Sequence, residues 1–342
     1  MEEQGVVFES AGLRLAGTLA LPGTSVPPEA STLPGGSQRY PCVLMISGSG
    51  QVDRNESHKR MPLNVMGELA AHLAERGIGS LRYDKRGVGE SEGDYWSTGF
   101  HDNVTDAAAA LAYLKKHTRV NGDKIFALGH SEGAYIATRL AAGSAAGAEA
   151  GAGPDSDAGG GLAGAVLLAG GARSGEDELR WQGAQVAASL TGMNALLVRL
   201  LRIDIAKSQQ KALDKAKRSQ KDWHRTQLVG KLNAKWMREF LAYDPAGDLS
   251  RVNVPILAIT GSKDIQVDPG NLERMASIVS APFESHVVPD VTHLLRSDPG
   301  PPGLAAYKAQ IKRPVDPRVK DLVTEWLQRQ VRGAPPLRAE GV

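Results

Sequence analysis

The sequence predicts an α/β fold, a mostly parallel central sheet with helices on both faces, and three observations carry that expectation. Short runs of branched apolar residues alternate with amphipathic stretches at helical spacing. One such run, Ile125-Phe126-Ala127-Leu128, enters a turn bracketed by glycines and leaves it as a helical pattern. A stretch from about 174 to 242 breaks the alternation and reads as an insertion. Strand–helix alternation of this kind implies right-handed crossovers and helices layered on a parallel sheet.

Taken in order, residues 5–21 read as two strands joined around Gly12. Residues 22–41, with five prolines, read as a long surface connection. Val43 to Ile46 is a buried-strand run, and Ser47-Gly48-Ser49-Gly50-Gln51 is the loop after it. A helix is expected from Val65 to Glu75, ended by Gly77. Ile78 to Tyr83 is the next strand, and Asn103 to His117 an amphipathic helix with Val104, Ala108, Leu111 and Leu114 on one face. The Ala, Gly, Ser, Asp and Pro stretch 143–161 cannot bury enough surface to offset its ordering entropy and reads as a mobile loop. Ala163 to Leu168 and Val254 to Thr260 are further strands, Ser285 to Pro289 another, and 316–331 the last helix, with the tail from Gly333 read as frayed.

The chemistry sits in Gly129-His130-Ser131-Glu132-Gly133. A strand, a sharp turn and a helix here form a nucleophile elbow, which lifts a serine hydroxyl to the top of the sheet. The turn leaves no room for Cβ atoms two residues to either side of the serine, so glycines stand there. With 23 serines and 39 glycines in 342 residues, chance supplies roughly 0.3 such pentapeptides. A second one exists at Gly89-Glu90-Ser91-Glu92-Gly93. It has no strand directly before it and no helical period after it, so Ser91 reads as a loop residue and Ser131 as the nucleophile.

A serine needs a base to take its proton and an acid to orient that base. In hydrolases built on such an elbow the acid and then the histidine follow the serine, each in a loop after a later strand. Gly261-Ser262-Lys263-Asp264 follows one such strand, and Asp290-Val291-Thr292-His293 follows the next. Asp264 and His293 are therefore the candidate acid and base. Asp268 is a rival acid, Asp290 reads as a turn residue, and His286 as a half-buried or surface strand residue. His58, His72, His101, His117 and His224 lack the strand-end context. For the oxyanion hole one backbone N–H is expected from Glu132 and the other from Ser49, with Gly50 and Gln51 as open alternatives.

These motifs resemble the serine hydrolases of the α/β-hydrolase superfamily, close to bacterial carboxylesterases. The resemblance runs through Gly48-Ser49-Gly50, Asp53-Arg54, Arg82-Tyr83-Asp84-Lys85-Arg86-Gly87-Val88-Gly89-Glu90-Ser91, the elbow, and the loops bearing Asp264 and His293. It implies an α/β-hydrolase fold, a structural turn in which Asp84 and Arg86 are framework, and ester hydrolysis through an acyl-enzyme, with thioester or amide hydrolysis open to the same machinery. Many relatives begin the oxyanion loop with His-Gly; this chain has Ser47-Gly48, which leaves the second amide open.

Composition narrows the partners. Apolar content of 42%, charged content of 23% and a formal charge of +2 describe a globular protein with no overall drive toward nucleic acid. Cys42 is the single cysteine, which excludes an intrachain disulfide and a cysteine metal cluster; it begins a strand and reads as a small buried residue. No cofactor or metal is expected. No secretory signal or run of 18 apolar residues is visible, so cytoplasmic localisation without membrane insertion is the expectation. Gly87-Val88-Gly89 fails as a dinucleotide loop because Glu92 stands where the third glycine belongs.

The insertion divides the chain into core (1–173), a helical lid (174–242) and core again (243–342). It reads as consecutive helices carrying Leu196, Leu197, Leu200, Leu201, Ile203 and Ile205, then Trp223, Leu228, Leu232, Trp236, Met237, Phe240 and Leu241. Between Arg199 and Glu239 stand 12 Lys or Arg against 4 Asp or Glu. A solvated helix face and a surface that steers an anionic substrate both explain that excess.

Overall fold

The protein is described here from a computed structural model covering residues 1–23, 31–32, 38–59, 61–143, 161–190, 205–226 and 230–333. Residues 144–160 of the loop expected at 143–161, the apolar residues Leu196 to Ile203 and Leu228, and the tail after Gly333 lie outside the described residues. Strands β1 (Glu2–Ser10) and β2 (Leu13–Leu21) pair antiparallel across Ala11-Gly12, whose φ angles are 47° and 78°. Then follow β3 (Ser31–Thr32), β4 (Gln38–Ile46), α1 (Val65–Ala74), β5 (Gly79–Tyr83), α2 (Phe100–Lys116), β6 (Val120–His130), α3 (Glu132–Ala141) and β7 (Gly164–Leu168). The interrupting segment supplies α4 (Gly175–Ala188), α5 (Ile205–Arg218), the strands β8 (Trp223–Thr226) and β9 (Gly230–Asn233), and α6 (Ala234–Ala242). The chain closes with α7 (Ala246–Leu249), β10 (Ile256–Gly261), α8 (Asn271–Ile278), β11 (Phe283–Val288), α9 (Tyr307–Gln310) and α10 (Pro317–Arg332).

The main sheet runs β1-β2-β5-β4-β6-β7-β10-β11, with β3 paired to β4 at the side. From β5 to β11 every pairing is parallel, while β1 and β2 are antiparallel. Parallel strands are buried on both faces, which is why they read as continuous apolar runs rather than alternating ones. Their residues nonetheless divide by parity. Val43, Met45, Phe126, Leu128, Leu257 and Ile259 face a layer formed by α1 and α10. Leu44, Ile46, Ile125, Ala127, Ile256 and Ala258 face the layer of α2, α3 and α8. Cys42 is buried in β4, and burial pushes its thiol up to about 12, the behaviour of an inert packing residue.

One expectation changes. Trp223–Thr226 and Gly230–Asn233 pair antiparallel, β8 against β9, rather than continuing the helices. Its sequence has no strict alternation; the ammonium of Lys231 sits 4.0 Å from the Trp223 ring centre and 4.6 Å from that of Trp96 on the core. Helix α5 buries only Leu213 and Ala216, against Leu241, and leaves Lys207, Lys211, Lys215, Lys217 and Arg218 exposed. Along that helix the basic residues form a solvated face. Among the described residues no helix is long and apolar enough to cross a membrane.

The α10 layer depends on Trp326, 2% exposed, whose ring meets Phe126 edge-on at 6.0 Å and fills the space over Gly164. Trp326→Ala is expected to lower the unfolding free energy by about 3–5 kcal/mol through lost burial and a residual cavity, read from urea denaturation midpoints.

Candidate active site

At the end of β6 the chain turns through Ser131 at φ 55°, ψ −118° and enters α3 at once. The glycine requirement is steric. A Cβ on Gly129 would lie 1.9 Å from the Gly133 carbonyl oxygen, and one on Gly133 would lie 2.0 Å from that of Ile46. The strained serine is pinned by its own amide, which donates to the Leu168 carbonyl of β7 at 2.9 Å. Glu132 opens α3, where first-turn amides have no acceptor within the helix.

Asp264 and His293 follow β10 and β11, whose last residues, Gly261 and Val288, are register partners. Their side chains meet: His293 Nδ1 lies 2.9 Å from Asp264 Oδ2, both groups buried. The other carboxylate oxygen accepts the amides of Gln266 at 2.7 Å and Val267 at 2.9 Å, so Asp264 is fixed from both sides. With Nδ1 donating to the carboxylate, Nε2 is the nitrogen left to act as base. His293 is also tied to the elbow, because its carbonyl oxygen lies 2.9 Å from Nε2 of His130, the residue before Ser131.

The rivals are spent elsewhere. Asp268 pairs with Arg173 at 2.6 Å, Asp290 with Lys263 at 2.7 Å, and His286 with Glu284 at 2.9 Å. Ser91 is structural: its hydroxyl donates to the Asp84 carbonyl and accepts the Ala16 amide. Asp84 accepts Arg54, and Arg86 pairs with Asp106, so the turn the resemblance implies as framework is built from ion pairs. In the loop after β4 the Gly48 amide is taken by Glu56 Oε1 at 2.6 Å. Ser49 shares a cavity wall with Ser131 and Glu132, whereas Gly50 and Gln51 line only an outer cavity.

A serine at an elbow, a carboxylate-bound histidine and a glycine-rich loop after an earlier strand together form the layout of a serine hydrolase. A family profile described as serine aminopeptidase, S33, matches residues 62–300, more than half the chain. The chain belongs to that family. Esterase EstD of Thermotoga maritima is 27% identical over 307 residues, covering 88% of this chain; the chain spans 65% of that protein's length. Among solved structures, Est1E from Butyrivibrio proteoclasticus with bound ferulic acid superposes with a TM-score of 0.60 at 17% identity, covering 96% of this chain and 99% of that one. Proline iminopeptidase of Mycobacterium smegmatis superposes with a TM-score of 0.60 at 14% identity, covering 97% and 100%. Both share the α/β-hydrolase fold.

Within this S33 chain, two buried charge clusters escape a motif search. In one, Lys85 Nζ donates to the Gly48 carbonyl at 2.7 Å and to Glu132 Oε2 at 2.9 Å. The other Glu132 oxygen accepts Asn103 Nδ2 at 2.8 Å and Trp236 Nε1 at 2.7 Å. This one carboxylate thus joins the elbow, the loop after β4, α2 and α6. In the second cluster, His130 Nδ1 lies 2.8 Å from Glu56 Oε1 while Nε2 faces the His293 carbonyl. Both ring nitrogens face acceptors, an arrangement that favours the doubly protonated imidazolium. Burial opposes that charge, but Glu56, the His293 carbonyl and the more distant Asp264 outweigh it and hold His130 above its ordinary value of 6.5. The available signal was the histidine inside the elbow pentapeptide itself.

A raised folded-state pKa stabilises the protein fully below the unfolded value and loses that stabilisation as pH rises through the folded one. Unfolding free energy of the wild type is therefore expected to fall, relative to His130→Gln, as pH is raised from 6.5 upward. Urea titrations of both proteins at a series of pH values measure the difference; parallel curves contradict a charged His130.

Proposed function

We propose that the chain is a serine carboxylesterase acting through Ser131, His293 and Asp264 and an acyl-enzyme. The observation that carries this reading is the Asp264–His293 hydrogen bond at 2.9 Å, which fixes the tautomer a general base requires. His293 Nε2 takes the Ser131 proton as Oγ attacks the ester carbonyl. The amides of Ser49 and Glu132 receive the oxyanion, at the start of a helix whose dipole favours negative charge. His293 then returns the proton to the leaving alcohol, and water repeats the cycle to release the acid. The 27% identity to an esterase supports an ester over other acyl substrates.

Residues 174–242 act in this reading as a lid on core segments 1–173 and 243–342, with α6 bonded to the elbow through Trp236. A reducing cytoplasm suits a chain with one cysteine. The family description favours a second reading, hydrolysis of a peptide bond by the same triad. That would require His293 to protonate an amine leaving group.

Ser131→Ala is expected to abolish turnover of 4-nitrophenyl acetate and labelling by a fluorophosphonate, with the circular dichroism of the fold retained. Asp264→Asn should lower kcat by about 10⁴ by holding the imidazole in the wrong tautomer. Undiminished turnover by Ser131→Ala would overturn the assignment. Faster cleavage of an aminoacyl 4-nitroanilide than of any ester would favour the peptidase.

A further inference from the structure

One cavity opens at Ser131, and a second lies beside it. The inner one, about 50 Å³, is lined by Ser131, Tyr135, Leu179, Trp236, Phe240 and Val267, among others. The outer one, about 420 Å³ and more open, is lined by Val52, Tyr95, Trp96, Trp236 and Met237. Only Ser49 and Trp236 belong to both walls. Ser49 is small, so the indole is the partition.

That partition is held on three sides. Its Nε1 donates to Glu132 Oε1 at 2.7 Å, its ring stacks on Phe240 at 5.0 Å with 8° between the planes, and its amide is capped by Asn233 Oδ1 at 2.9 Å. Asn233 is itself anchored to the core, donating to the carbonyls of Tyr95 and Thr98 at 2.7 Å each.

Resting on the esterase reading, we propose that Trp236 sets the acyl length, restricting the substrate class to esters of short-chain acids. The alcohol must leave before water enters, so it occupies the open outer cavity. The acyl group stays bonded to Ser131 Oγ and occupies the enclosed inner one. The inner space, about 50 Å³ against about 420 Å³ in the outer cavity, is much the smaller of the two and admits only a short acyl chain. A longer chain meets the indole. Removing the indole joins the inner space to the outer cavity.

The test is kcat/KM for 4-nitrophenyl acetate, butyrate, hexanoate and octanoate with wild type, Trp236→Ala, Trp236→Phe and Leu179→Phe. Wild type is expected to drop at least tenfold from butyrate to hexanoate, and Trp236→Ala to raise the hexanoate-to-butyrate ratio at least tenfold. Trp236→Phe keeps a ring without the bond to Glu132, so it should keep the short-chain preference. Leu179→Phe fills the inner cavity from the opposite wall and should lower butyrate relative to acetate; it tests the cavity even where Trp236→Ala does not fold. A wild-type profile flat to octanoate, or a Trp236→Ala variant that loses all four esters in equal proportion, overturns the acyl-length role while leaving the esterase reading standing. Wild-type inactivity on all four esters removes that reading and this inference with it.

Discussion

One strained residue organises this molecule. Ser131 is held at φ 55° with no glycine's freedom to adopt it, a conformation that costs on the order of 1–3 kcal/mol. It persists because its surroundings over-determine it. β6 delivers the chain at the sheet centre, between β4 and β7, and α3 must begin within one residue to stay packed. Gly129 and Gly133 allow the backbone of α3 to approach β6 and β4 more closely than any Cβ permits. The strain is thus stored by the sheet's packing, and the hydroxyl is presented at the carboxyl end of the strands, where open α/β sheets place their sites.

The loops around that residue are held by buried charge rather than by apolar packing. Removing Lys85, Glu132, His130 and Glu56 from water costs several kcal/mol per ion, a cost offset only if every donor and acceptor finds a partner. Lys85 and Glu132 satisfy this jointly, spanning the Gly48 carbonyl, Asn103 and Trp236. His130 spans Glu56 and the His293 carbonyl, and Glu56 Oε1 in turn takes the Gly48 amide, while Glu56 Oε2 stays buried without a hydrogen-bond partner. Both clusters therefore meet at Gly48, one on its carbonyl and one on its N–H. A displacement of the loop that carries Ser49 would cost Lys85 and Glu56 one hydrogen-bond partner each. Buried polar networks of this kind favour a single arrangement over near alternatives.

Most of the fold was legible because parallel strands leave a strong mark. Val43 to Ile46, Ile125 to Leu128 and Val254 to Thr260 are apolar on both faces, so their runs are unbroken, and β4, β6 and β10 are found where the runs lie. The elbow was legible for a different reason, since its steric demand leaves a glycine on each side of the serine. What could not be read was partnership. Lys85 and Glu132 stand 47 positions apart, and nothing in either neighbourhood specifies the other. The β8–β9 pair reads as helix in the sequence because Lys231 between Trp223 and Trp96 leaves no periodic trace.

The same distinction explains how α6 is seated beside the elbow. Helix α6 buries Phe240 and Leu241 but leaves Trp236 only half-buried, so apolar burial alone does not place the indole. What places it is directional: a hydrogen bond to Glu132, a cap from Asn233, and a parallel ring stack. Directional contacts fix position where hydrophobic contact would tolerate sliding, because a hydrogen bond weakens steeply once its angle falls. Glu132 is also the residue whose backbone begins α3 beside Ser131. The carboxylate and the amide of one residue therefore link the wall of the inner cavity to the serine it adjoins.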